Sequence, residues 1–151
     1  MKLNIYKLNT YFLILLFARL SLSTAYLSAV ADRIGWWGPI GSANVSWGNF
    51  SNFLTAVTYL SPWAHNTLIP ILGIGVTILE VILPLFLIIG YQLRLTSLIS
   101  FLLLIIFALS MTFADGIKSP MNYSVFTAAA CSLLIFLCEE MKQQLQTKKR
   151  I

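Results

Sequence analysis

An all-α integral membrane protein, a four-helix bundle with a short interfacial helix in the outer loop between spans one and two, is the fold class that three observations predict. The first is composition: 58% of the 151 residues are hydrophobic and 10% are charged, against about 45–50% and about 25% in an ordinary soluble domain. Mean hydropathy is +0.83. Too few charges remain to coat a soluble core, which excludes cytosolic enzymes, free nucleic-acid binders and disordered tails together. The second is a set of apolar stretches, roughly 10–31, 67–90, 95–114 and 120–139, each near the ~20 residues a helix needs to cross a bilayer. The third is that these runs are continuous, without the period-2 alternation of an outer-membrane barrel. One membrane domain over 1–151 takes in all four spans, an outer loop over 34–65 and a basic tail over 140–151.

Span one follows Lys2 and Lys7, and the other basic residues set its direction. Arg94 lies between spans two and three, and Lys142, Lys148, Lys149 and Arg150 follow span four, so these residues share one side. Arg33 and Lys118 lie opposite, beside Asp32 and Asp115, and Arg19 is inside span one. The positive-inside rule then puts both termini in the cytoplasm. The net charge of +5 reflects topology and not a nucleic-acid partner, the terminal Lys-Lys-Arg holding the helix end against anionic lipid. A secretory signal is the rival reading of span one, with Ala29-Val30-Ala31 as an A-x-A site, but Arg19 would interrupt its apolar region.

The outer loop contains all four tryptophans, Trp36, Trp37, Trp47 and Trp63, a residue that collects at headgroup depth. Phe50, Phe53, Leu54, Val57 and Leu60 follow helical spacing while Ser51, Asn52, Thr55 and Thr58 fall away from them, which predicts a short helix lying in the interface as a lid over the outer mouth. An aromatic anchor without a ligand role fits the same pattern.

Span two carries Glu80. An unpaired Arg or Glu at the bilayer centre costs about 2.5–3.5 kcal/mol even on a lenient insertion scale. Arg19 is nine residues from Thr10 and Glu80 ten from Gly90, so both lie roughly 14 Å inside the same boundary at 1.5 Å per residue. Equal depth predicts an Arg19–Glu80 ion pair. Pro84 leaves the carbonyl four residues earlier, that of Glu80, without its helical N–H, offering Arg19 a second acceptor. Gly73 and Thr77 share that face and leave space for a ligand or a close helix neighbour.

Span three, 95–114, holds no charge. Span four begins at Ser119-Pro120, a capping hydroxyl and a first-turn proline, and Ser124, Ala128 and Ser132 repeat at the small-residue spacing of close-packed membrane helices. Cys131 and Cys138 are about 10.5 Å apart along the axis, beyond a disulfide. There is no C-x-x-C, and His65 is the only histidine, so no metal or haem site is expected.

These residues together resemble the DoxX-like family of small four-helix bacterial inner-membrane proteins. The resemblance covers most of the chain and rests on Arg19, on Ser28-Ala29-Val30-Ala31-Asp32-Arg33 followed by Gly35 and Trp36-Trp37-Gly38, on Val45-Ser46-Trp47-Gly48, on Glu80, and on Gly116 through Ser124 before span four. It implies an inner-membrane bundle, often partnered with redox proteins, in a family named for a subunit of a thiosulfate:quinone oxidoreductase. No flavin, haem or dithiol motif is present, so electron transfer would need a quinone alone or a partner protein.

Two functions stay open. The first is a non-catalytic or accessory subunit that binds a quinone-like lipophilic ligand and supports a membrane redox partner. Its expected site is the outer mouth, where Asp32, Arg33, Trp47, Asp115, Lys118, Asn122 and Tyr123 come from separate segments to one face. The second is a small proton-coupled transporter using Glu80, or a purely structural subunit of a membrane complex. A coupling carboxylate must exchange its proton for substrate, whereas one paired with Arg19 stays occupied.

Overall fold

The computed structural model describes residues 2–148, with side chains from residue 10 onward. The basic side chains of Lys2, Lys7, Lys149 and Arg150 lie outside the described residues. The chain folds as α1 (Lys2–Arg33), α2 (Phe50–Leu60), α3 (Ile69–Ile89), α4 (Leu93–Asp115), α5 (Lys118–Asn122) and α6 (Val125–Lys148), with no strand among the described residues. Among the described residues three segments are long and apolar enough to cross a membrane, Thr10–Arg33, Ile69–Ile89 and Leu93–Asp115, which makes this a membrane protein.

The fourth expected span is built differently. A short helix does form around Pro120, which is buried, but it runs from Lys118 to Asn122 with Ile117 at its N-cap and no side-chain cap; Ser119 is inside it and gives its hydroxyl to Asp115 in place of the expected cap. Ser124 then adopts φ 53°, a left-handed conformation that breaks the helix, and α6 begins at Val125. At its other end α6 continues through Glu139, Glu140 and Lys142 to Lys148. Residues 140–148 are therefore helical, and the charges of Glu139, Glu140 and Lys142 keep α6 out of the three apolar spanning segments.

Helix α1 packs on α3 and α4 on α6, and contacts of α3 with α4 and of α1 with α6 close the arrangement. Leu22, Leu87, Leu104 and Ile135 meet in the interior. Ser23, Ser97, Ser100 and Ser132 are fully buried, and small side chains allow such close approach. Each hydroxyl finds a hydrogen-bond partner, as a buried hydroxyl must: Ser132 donates to Ser97 O at 2.9 Å, and Ser100 shares a 2.8 Å bond with Tyr26. Outward, Phe17, Ile71, Leu102 and Phe113 are exposed, as lipid-facing positions should be. Ser23 Oγ donates to Pro84 O at 3.2 Å, which sets the antiparallel register of α1 and α3: residue 23 faces residue 84.

Helix α2 forms where the apolar spacing predicts it. Asn49 caps it, its side chain accepting the Asn52 N–H at 2.8 Å. Leu54 lies over Gly73 of α3 so closely that a β-carbon there would come within 2.4 Å of Leu54 Cδ2. Gly73 thus makes room for a close helix neighbour, and that neighbour is α2.

Candidate functional site

Two adjacent residues end α1, and their side chains leave in different directions because neighbours on a helix are about 100° apart. Asp32 turns to the loop. Its carboxylate accepts the N–H of Ser46 at 2.8 Å and of Gly48 at 3.0 Å, with Trp47 N–H at 3.3 Å. Three successive amides around one carboxylate form a concave anion seat. Gly48 is required there: it has φ 68°, and a β-carbon would come within 2.5 Å of Ile40 N.

This seat places Trp47 beside Phe53, edge to face at 5.3 Å, and Asn52 Nδ2 donates to Trp47 O at 2.7 Å to tie the loop to α2. Beneath the two rings lies Arg33. Its guanidinium carbon is 3.8 Å from the Phe53 ring centre and 5.1 Å from that of Trp47, within reach of cation–π attraction. Arg33 Nη1 donates to Thr77 Oγ1 at 3.0 Å and forms an ion pair with Glu80 Oε2. Thr77 in turn donates to Gly73 O at 2.8 Å. Arg33 and Glu80 are each 3% exposed, and Arg33 Nε is a buried N–H with no hydrogen-bond partner.

The expected Arg19–Glu80 pair does not form. Arg19 is buried, but Nε donates to Leu87 O at 2.6 Å and Nη2 to Ile88 O at 2.9 Å. Those carbonyls belong to the last turn of α3, where helical N–H partners run out and the dipole favours a cation. Gly90, with φ 84°, lets the guanidinium approach: a β-carbon would come within 2.9 Å of Arg19 Nη2. Nor does Arg19 reach the Glu80 carbonyl freed by Pro84. In the register set by Ser23 and Pro84, Glu80 faces residue 27, about 12 Å along the axis from Arg19. Side-chain direction widens that gap. Helical side chains lean toward their own N-terminus, so in antiparallel helices Arg33 and Glu80 converge while Arg19 and Glu80 diverge.

Of the other expected outer-mouth residues, the buried centre holds Asp32 and Arg33, with the half-buried Trp47 over them. Asp115 accepts from Tyr59 Oη at 2.6 Å and from Ser119 at 3.4 Å, joining α2 to α4. The carboxylate accepting that proton raises the Tyr59 phenol above its ordinary value of 10. Lys118, Asn122 and Tyr123 are exposed and their side chains hydrogen-bond no member of the buried centre.

Phe53, which enters the site through the apolar face of α2, escapes a reading by depth alone. Away from the site, Glu139 is a third buried carboxylate besides Asp32 and Glu80, 7% exposed, paired with Lys142 at 3.2 Å; the i,i+3 spacing of opposite charges is its sequence signal. No family model, no curated protein and no solved structure matches this chain.

Proposed function

We propose that this is a DoxX-like, four-crossing protein of the bacterial inner membrane, an accessory subunit that binds a quinone-like lipophilic ligand and supports a membrane redox partner. In this reading α6 is the fourth crossing, both termini are cytoplasmic, and α2 lies in the outer interface above the ligand. The basic residues on the terminal side support the orientation, and the apolar face of α2, with Phe53 buried, supports its interfacial position.

The observation that carries the ligand reading is Arg33. Phe53 and Trp47 cover its guanidinium, and Thr77 and Glu80 take Nη1, yet the buried Nε–H has no acceptor. A buried donor left unpaired costs about 1–3 kcal/mol. A ligand carbonyl would remove that cost once Phe53 or Trp47 moves aside to admit it, and a flat ring would then find aromatic neighbours in the same place. Proton-coupled transport is less well supported, because Glu80 would have to break its buried pairing with Arg33 in every cycle.

Arg33→Lys keeps the charge opposite Glu80 but removes the Nε–H. The test is titration of the purified protein in detergent with a short-chain ubiquinone analogue, read by tryptophan fluorescence quenching. Saturable quenching is expected, and it should weaken about tenfold or more in Arg33→Lys, as for a lost hydrogen bond to a charged group. Non-saturable quenching, or equal affinity in both proteins, would refute the proposal.

A further inference from the structure

At the end of the molecule remote from Arg33, an open surface hollow of about 440 Å³ lies between α4 and α6. Arg94, Glu140, Gln143, Gln144, Thr147 and Lys148 line it. Its depth in the membrane follows from α4. That helix has spanning length, so its 23 residues cover about 34 Å against a hydrocarbon core of about 30 Å, and Arg94, its second residue, lies at headgroup level.

The basic side chain is already oriented. Arg94 Nε pairs with Glu140 at 2.5 Å, Nη1 donates to Gln143 Oε1 at 3.4 Å, and the guanidinium carbon is 5.9 Å from the Phe136 ring centre. Gln144 Nε2 donates to the other Glu140 oxygen at 3.3 Å. Arg94 remains half-exposed, so with five N–H donors it keeps some for an anion. Arg94 and Lys148 against Glu140 leave the hollow one net positive charge. A second hollow, of about 320 Å³, shares Gln144 and Lys148 with the first and adds the exposed apolar side chains of Met141 and Leu145.

The geometry points to a binding site for the phosphodiester headgroup of an anionic phospholipid, with Arg94 and Lys148 holding the phosphate and Met141 and Leu145 meeting the glycerol-ester region. Charge complementarity selects this occupant: a phosphatidylglycerol headgroup brings one negative charge to one net positive charge, whereas phosphatidylcholine adds a cation of its own. Basic pockets between membrane helices hold anionic headgroups in this way. The site is independent of the Arg33 ligand and of the orientation of the chain.

The test is native mass spectrometry of the full chain in mild detergent, offered equal amounts of phosphatidylglycerol and phosphatidylcholine with the same acyl chains. The expected result is a phosphatidylglycerol preference of about fivefold per cation, lost in Arg94→Gln/Lys148→Gln and reduced in Lys148→Gln, an exposed change at a helix end that leaves the fold intact. Glu140→Gln, which keeps an acceptor for Arg94 but removes the competing negative charge, should strengthen the preference. Free inorganic phosphate should not displace the lipid, because it lacks the apolar contact. The inference is overturned if the two lipids bind equally, if the double variant keeps the preference, or if millimolar phosphate abolishes the adduct, which would mean an adventitious ion only.

Discussion

Helix α1 carries two buried arginines, and they solve the same problem in different ways. Arg33, at the end of the helix, meets a carboxylate, a hydroxyl and two aromatic rings. Arg19, in the middle, donates to the terminal carbonyls of α3 and feels the charge of Glu139 on α6 without a direct ion pair. Arg19 completes a helix end, and its donors Nε and Nη2 are used in doing so. Arg33 leaves its buried Nε without a hydrogen-bond partner. The difference teaches that a buried charge is characterised by what its partners leave unsatisfied, more than by its depth.

The largest effect expected from breaking that contrast is at Arg33. Arg33→Gln leaves Glu80 buried without a counter-charge, which should cost about 3–5 kcal/mol, read as a drop in the melting temperature of the purified protein. Arg19→Gln removes no ion pair. It should cost about 1.5–3 kcal/mol, the range for hydrogen bonds to a charged group, and Arg19→Lys should restore little because one ammonium cannot reproduce the planar fork. Equal losses at the two arginines would erase the distinction.

Asp32→Ala should come next, at about 1–3 kcal/mol, because the Ser46 and Gly48 amides lose their acceptor. Its signature is local: Trp47 should move to a wetter environment, seen as a red shift in emission that Trp47→Phe removes. The smallest effect concerns the exposed tie between Tyr59 and Asp115. Because the phenol's folded value is raised, the contribution of this bond is fully present below the unfolded value of about 10 and is lost as pH rises through the higher folded value. In the difference absorbance titration against Tyr59→Phe, the phenolate should appear later than in a free tyrosine, and Asp115→Asn should return it toward the ordinary range.

Much of the helical frame is legible in the residues. Continuous apolar runs place α1, α3 and α4 to within a few residues at most ends, and the spacing of Phe50, Phe53, Leu54, Val57 and Leu60 places α2. The break at Ser124 is not legible, since serine has no intrinsic preference for positive φ, and the extension of α6 to Lys148 is concealed by its polarity. At the site, the chemistry of Asp32, Arg33, Trp47 and Glu80 is visible as polar or aromatic residues where a membrane disfavours waste, but their pairing is not. Counting rise per residue treats a side chain as a point on the axis. An arginine reaches several ångströms toward its own N-terminus, so Arg33 at the rim reaches down to Glu80 while Arg19, matched to Glu80 by residue count, points away.

A double-mutant cycle joining Glu80→Gln to each arginine in turn tests the pairing most directly, with unfolding free energy measured in mixed detergent for Arg33→Gln, Arg19→Gln and the corresponding doubles. Residues in contact couple by about 0.5–3 kcal/mol, and independent ones add to within about 0.5 kcal/mol. Glu80 should couple to Arg33 by about 1.5 kcal/mol or more, the double variant recovering part of the loss, and should add with Arg19. Coupling to Arg19 and additivity with Arg33 would contradict the account.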